Sequence, residues 1–192
     1  MIASDIHGDA GYCEQLLQDF TREKDRLRKD GHSLRLLLLG DLLYHGPRND
    51  LPSRYAPKEV AALLNAYKQD ILCVRGNCEA EVDQMMLDFP VLADYALLSV
   101  GNRLLFATHG HHFNRETPPP LQPGDLLLYG HTHVPMVEKD EKTGILCLNP
   151  GSVSIPKRGS ERGYLLLDPE REEVTHYALG GKLLGQYPLR NL

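Results

Sequence analysis

Residues 34–39 (Leu-Arg-Leu-Leu-Leu-Leu) form a nearly continuous apolar run that stops at Gly40-Asp41. A run this short, with so little polar alternation, is the pattern of a strand covered on both faces, as parallel strands are. Parallel strands need crossovers, and the flanking sequence supplies them as helices. Upstream, Asp9 can cap a segment in which Tyr12, Leu16, Leu17, Phe20 and Leu27 recur at helical spacing until Gly31. Downstream, Pro57 suits the first turn of a helix reaching Gln69, with Val60, Leu63, Leu64 and Tyr67 on one face. Residues 71–74 then read as another strand, and the short apolar start ending at Ser4-Asp5 as the first. This β-α-β-α-β order predicts an α/β fold with helices covering a sheet.

After residue 90 strands dominate. Residues 95–100 and 104–108, joined at Gly101-Asn102, predict a hairpin, and further strands are expected at 126–129, 145–148, 164–167 and 174–179. Pro118-Pro119-Pro120 with Pro123-Gly124 reads as a surface loop, and Gly180-Gly181-Lys182 as a hairpin turn. The 192 residues contain no repeat and no long linker, which predicts a single domain spanning 1–192. With 21 Lys and Arg against 26 Asp and Glu, the net charge of −5 argues against a nucleic-acid binder working through a basic footprint. No stretch approaches the roughly 18 apolar residues of a membrane span, and the start lacks a signal-peptide pattern, so a cytoplasmic location away from membranes is expected. Cys13, Cys73, Cys78 and Cys147 form no C-x-x-C pair, which favours reduced thiols.

The polar residues most able to do chemistry each follow a predicted strand. Asp5-Ile6-His7-Gly8, Gly40-Asp41, Gly76-Asn77, His109-Gly110-His111 and Gly130-His131-Thr132-His133 occupy five such positions, with His45-Gly46 close behind the second. Ligands of open α/β sheets bind beyond the carboxyl ends of the strands, so these loops are expected to converge. Asp5, His7, Asp41, Asn77, His109, His131 and His133 offer a mixed oxygen and imidazole set that needs no thiolate. Seven ligands exceed the needs of one ion. Two ions sharing a carboxylate, a device for clamping phosphate oxygens, are the simplest arrangement.

Taken singly, most of these residues have plainer readings. A lone histidine is usually a packing or surface residue, and His32, His112 and His176 are read that way. His45 and His111 stand between substrate contact and ordinary hydrogen bonding, and Arg48 and Arg75 between phosphate contact and solvation. Residues 149–154 read as a turn before a strand, with an anion-binding backbone nest as the alternative. The mixed charges of residues 22–29 mark a solvated helix face, and Met85-Met86-Leu87 is expected to be core on a short helix.

The ordered set Asp5-x-His7, Gly40-Asp41, Gly76-Asn77, His109 and Gly130-His131-x-His133 resembles the calcineurin-like metallophosphoesterases. The likeness runs from residue 3 to about 157. Within that family, residues 40–49, Arg75-Gly76-Asn77-Cys78-Glu79 and residues 149–157 are similar to the small bacterial YfcE-type phosphodiesterases. The resemblance implies a β-sandwich flanked by helices in α/β/β/α layers, and two divalent ions. Manganese is the favoured metal, with Fe, Zn, Ni, Co or Mg as alternatives. One ion would take Asp5, His7, Asp41 and His133, and the other Asp41, Asn77, His109 and His131. Asp41 would bridge, and a hydroxide held between the ions would attack a small phosphodiester.

Two features depart from the family pattern. Many members carry a histidine directly after the Gly-Asn pair, where this chain has Cys78. Cys78, His45 and Asn77 are therefore the candidates for catalytic contact beyond the ions. Met1 also stands only four residues before Asp5, which predicts a short first strand and looser geometry on that side. Alternative functions on the same residues are a phosphomonoesterase or protein phosphatase, and a non-catalytic metal-binding interaction scaffold. A β-lactamase-type zinc site ranks last because its H-x-H-x-D-H run is missing. A homo-oligomer paired through apolar strands is a further expectation.

Overall fold

A computed structural model describes residues 1–192, the side chain of Asn191 excepted. The elements run β1 (Ile2–Ala3), α1 (Ala10–Lys29), β2 (Leu36–Leu38), α2 (Pro57–Asn65), β3 (Ile71–Cys73), α3 (Glu81–Met86), β4 (Tyr95–Val100), β5 (Arg103–Thr108), β6 (Leu126–Leu128), β7 (Met136–Lys139), β8 (Leu146–Asn149), β9 (Gly163–Asp168), β10 (Glu173–Ala178) and β11 (Leu183–Pro188). They form two sheets, ordered β11-β10-β9-β1-β2-β3 and β4-β5-β6-β8-β7. In the first, β1, β2 and β3 are parallel and β9 runs antiparallel to β1. In the second, β5, β6 and β8 are parallel, while β4 and β7 flank them antiparallel.

Strand alternation explains why leucines fill so many positions. In β2, Leu36 and Leu38 face the helices with Leu16, Phe20 and Leu64, whereas neighbouring Leu37 and Leu39 join Ile2 and Val74 between the sheets. The second sheet answers with Leu105, Ala107, Leu126, Leu128, Leu146 and Leu148 on its inner face. Its outer face carries Phe106, Leu127, Tyr129 and Cys147, packed by Leu121 and Met136 and edged by Phe113 against Phe106. The mixed α/β architecture is the one expected, and it places the carboxyl ends of six parallel strands along one rim.

The N-cap of α1 is Asp9, whose carboxylate accepts from the Tyr12 N–H, as the pattern predicted. Helix α2 stops at Asn65 rather than reaching Gln69. Tight bonds from Tyr67, Lys68 and Asp70 back to residues three earlier turn the chain into β3. Two edge strands escaped the sequence reading. β7 contains the exposed charges Glu138 and Lys139, and β11 contains Gly185 and Pro188, so neither shows an apolar rhythm.

Three expectations need correction. Of Met85-Met86-Leu87 only Leu87 is core: α3 buries none of its residues, and Met85 is 84% exposed. The helix is held instead by polar bonds, Ala80 N–H to the Asp83 carboxylate and Asn65 Nδ2 to the Met86 carbonyl. The short β1 does not loosen its side of the rim, because the Leu37, Leu39 and Val153 amides bind the carbonyls of Met1, Ala3 and Ser4. Residues 149–154 are more than a turn, since they brace the candidate site.

Candidate metal centre

Five of the seven nominated side chains start from a strained backbone. Asp5, His7, Asp41, His131 and His133 all have left-handed φ, between 49° and 63°. Each such residue costs about 1–3 kcal/mol and persists only where its surroundings fix it. Here the loops bind one another: the Asp5 amide donates to the Gly40 carbonyl, His7 to Asp41, Gly8 to Leu42 and Gly130 to His109. Glycine permits the closest approaches. A Cβ on Gly76 would overlap the Asp41 carboxylate, and one on Gly130 would overlap the Ser4 hydroxyl.

The imidazoles are aimed by backbone carbonyls. Nδ1 of His7 donates to Tyr44 O (2.9 Å), Nδ1 of His109 to Leu39 O (2.6 Å) and Nδ1 of His133 to Ile155 O (2.6 Å). A carbonyl can only accept, so the proton sits on Nδ1 and each Nε2 presents a lone pair inward. His7 Nε2 and His133 Nε2 then face each other at 3.2 Å, with Asp5 Oδ1 at 3.5 and 3.2 Å from them. His109 Nε2 lies 3.2 Å from His131 Nδ1 and 3.1 Å from Asn77 Oδ1. Asp41 Oδ2 sits between the two groups, 3.7 Å from His7 Nε2 and 3.5 Å from His109 Nε2. The structure thus brings all seven nominated residues together.

This arrangement fits a cation. With each Nε2 unprotonated, Asp5 Oδ1 is buried with no hydrogen-bond donor among the described residues, and opposed lone pairs repel unless a positive charge lies between them. Asp5 with His7 and His133, and Asp5 with Asp41 and His109, each gather ligand atoms within 4.8 Å of one another. Without a metal, protons fill the role. Burial opposes ionisation of Asp5, but hydrogen bonds from His133 and His7 hold its carboxyl well below the usual range. Burial likewise works against the His109 imidazolium, yet the Asp41 hydrogen bond and the Asp5 charge raise its pKa to about 9. His7 is raised for the same reason, against its burial, by Asp5.

Behind these donors stand residues the sequence reading gave no role. Glu79, 4% exposed, accepts the backbone N–H groups of Asp41 (2.9 Å), Leu42 (2.7 Å) and Gly76 (2.5 Å), tying the second and third loops together. Its carboxyl pKa is raised by burial and by the Asp41 charge. Ser152 and Ser154 hydroxyls both donate to the Asp5 carbonyl, at 2.8 and 3.1 Å. The Asn149 amide donates to Gly130 O (2.8 Å) and the Thr132 hydroxyl (3.1 Å). The segment 149–155 is therefore a brace for two loops, neither a plain turn nor a nest of N–H groups. Its Asn-Pro-Gly-Ser sequence was the available signal.

The remaining candidates are less uniform. Cys78 N–H donates to Asp41 Oδ1 (3.0 Å), and its thiol lies 3.4 Å from Asp41 Oδ2. Burial and the Asp41 charge push that thiol far above its ordinary pKa. His45 stands outside the cluster, edge-on between Tyr44 and Tyr55, with a buried Nδ1 that has no partner among the described residues. His111 packs beside His109 at 5.4 Å, and burial and the neighbouring His109 lower its pKa to about 4. Arg48 is exposed, and its charge helps to depress the His131 pKa after burial and His109. Arg75 and His112 are exposed as well.

Residues 1–172 match the model of the calcineurin-like phosphoesterase superfamily domain. The chain is 45% identical to phosphodiesterase YfcE of Escherichia coli K12 over 168 residues, 88% of this chain and 86% of the relative. It is 27% identical to the probable metallophosphoesterase YsnB of Bacillus subtilis, over 70% and 72% of the two chains. The solved structure of YfcE, a phosphoesterase from E. coli, superposes with a TM-score of 0.88 at 41% identity and covers 98% of both chains. The chain belongs to the calcineurin-like phosphoesterase superfamily.

Proposed function

We propose that this protein is a metal-dependent phosphodiesterase that hydrolyses small phosphodiesters at a two-ion centre. One ion is assigned to Asp5, His7, Asp41 and His133, the other to Asp41, Asn77, His109 and His131. The observation that carries this reading is the position of Asp41 Oδ2, between His7 Nε2 at 3.7 Å and His109 Nε2 at 3.5 Å. Manganese is the expected metal, and Fe, Zn, Ni, Co or Mg suit the same oxygen and nitrogen donors. The 45% identical relative is a phosphodiesterase, which supports the diester as substrate class.

When bound, the ions supply a water of lowered pKa and neutralise charge on the phosphoryl oxygens. The chain's own residues fix where this happens. Carbonyl-held imidazoles and left-handed loops keep the donor atoms in place without reorganisation. Asn77 is exposed and places its Oδ1 3.1 Å from His109 Nε2, so it is the donor most open to a phosphoryl group. Overall, water adds to phosphorus, one P–O ester bond breaks, and the products are an alcohol and a phosphomonoester. The Cys78 N–H donates to Asp41 Oδ1 and its thiol hydrogen-bonds Asp41 Oδ2, so its role is to hold that carboxylate. His45 lies beyond contact with the donors and serves the aromatic wall beside them.

The test is hydrolysis of a bis-aryl phosphate against an aryl monophosphate by metal-stripped protein, with and without added Mn²⁺. Cleavage of the diester that depends on the metal supports the proposal. Equal cleavage of the monoester would move the assignment to a broader phosphatase. Silence toward both, with tight metal binding retained, would favour a scaffold.

A further inference from the structure

Helix α3 has no buried residue, yet its apolar side chains do not simply face solvent. Val82 and Met86, 61% and 42% exposed, line a mainly apolar cavity of about 450 Å³ together with Leu43, Tyr44, Tyr55 and Cys78, and Lys58 and Asp83 are the charged residues of its lining. That volume falls in the range of about 300–1,000 Å³ usual for small-molecule pockets. The cavity adjoins the metal centre, because the Cys78 that lines it also places its thiol 3.4 Å from Asp41 Oδ2.

The wall opposite α3 is rigid and tied to the ligand loops. The rings of Tyr44 and Tyr55 sandwich His45 edge-on, at 4.6 and 5.2 Å. Tyr55 lies so close over Gly8 that a Cβ there would strike its ring, and the Ala56 amide donates to the Gly8 carbonyl at 2.8 Å. The Tyr44 carbonyl holds His7 Nδ1. One side of the cavity therefore has a fixed position relative to Asp41 and His7. An apolar, aromatic-walled space so placed rewards a carbon substituent on a phosphoryl group far more than another oxygen.

We propose that this cavity is the subsite for one apolar ester group, aryl or alkyl, of the phosphodiester, a reading that rests on the phosphodiesterase assignment above. A phosphomonoester presents a charged oxygen where the diester presents this substituent, so the cavity also favours the diester. Its size, and the Cys78 that it shares with the surroundings of Asp41, point to a ligand group and not to a protein segment.

The test measures binding of phenylphosphonate and methylphosphonate to the Mn²⁺-loaded protein by titration calorimetry. The two probes share the phosphoryl head and differ only in the group offered to the cavity. Phenylphosphonate is expected to bind about tenfold more tightly, from the added apolar burial. Val82→Asn and Met86→Gln, both at exposed positions, should bring that ratio below about threefold in at least one variant. A ratio near one in the wild type, as expected were the cavity a docking site for a protein partner, overturns the subsite, and so does a ratio unchanged in both variants. If diester turnover is intact in that case, the phosphodiesterase reading survives alone. If neither probe binds and no diester is cleaved, the failure lies in that reading, and the subsite falls with it.

Discussion

Asp5, His7 and His133 are no more than 3% exposed, and carbonyls from the second loop and the 149–155 brace hold their surroundings. Across Asp41 the arrangement differs: His109 is fully buried, but Asn77 is exposed and His131 only partly covered. One side of the centre is thus built like a protein interior and the other like a mouth. The buried side can hold an ion in fixed geometry with little reorganisation. The open side leaves room for a phosphoryl oxygen, as a catalytic position must. An asymmetry of this kind predicts two ions of unequal affinity.

Asp41 belongs to both sides, so its loss should have the largest effect. Asp41→Asn is expected to lower kcat for a bis-aryl phosphate by about 10³-fold or more. The fold should persist, because an amide at this position can still accept from the Cys78 N–H. A variant with near wild-type turnover would remove the shared carboxylate from the mechanism. Glu79 comes next, although it touches no candidate ion. Glu79→Ala would leave three buried N–H groups without an acceptor and should destabilise the metal-free protein by about 3 kcal/mol in urea unfolding. A loss under about 1 kcal/mol would mean that the second and third loops are fixed by other contacts.

Asn77→Ala probes the open side alone. In a calorimetric Mn²⁺ titration it should weaken the lower-affinity ion about ten- to a hundredfold and leave the tighter one in place. Asp5→Asn should act on the tighter ion. If both substitutions weaken both ions equally, the difference between interior and mouth has no energetic meaning.

How much of this could be read from residues alone depended on whether a pattern was local. The parallel strands were legible because unbroken apolar runs such as 36–39 have few other uses. The seven donor positions were legible because each follows a strand end and most lie beside a glycine or another donor. Glu79 was not, since a glutamate acts as a loop tie only once Gly76, Asp41 and Leu42 are adjacent in space. Ser152 and Ser154 were hidden for the same reason, being 147 and 149 residues from Asp5. Met85 and Met86 misled because an apolar run on a six-residue helix says nothing about which surface it faces. β7 ends in the exposed charges Glu138 and Lys139, and in β11 Gly185 and Pro188 interrupt the pattern that Leu183 and Leu184 begin.

Cys78 sharpens the boundary between the two sides. If its thiol only positions Asp41, Cys78→Ser should retain kcat/KM within about threefold, and Cys78→Ala should lose about three- to tenfold with no new pH dependence. Loss of the basic or acidic limb of the pH–rate profile in both variants would instead make the thiol a proton carrier.

His176 is the control for all the histidines of the centre. It is also buried, at 7% exposed on β10, and its Nε2 has no partner among the described residues. Burial alone lowers its pKa below 6.5, so the unfolded chain binds a proton there that the folded chain refuses. Stability must then fall as pH drops below about 6.5, and His176→Gln should abolish that part of the fall in melting temperature between pH 7 and 5.5. The histidines raised by Asp5 and Asp41 have the opposite sign in the metal-free protein. For them stability is complete below about 6.5 and is lost as pH rises toward about 9 for His109. Loading with Mn²⁺ should replace the protons on those residues and leave the His176 difference untouched. A His176 difference that vanished on loading would couple β10 to the metal centre, and the centre could no longer be treated as a self-contained rim of five loops.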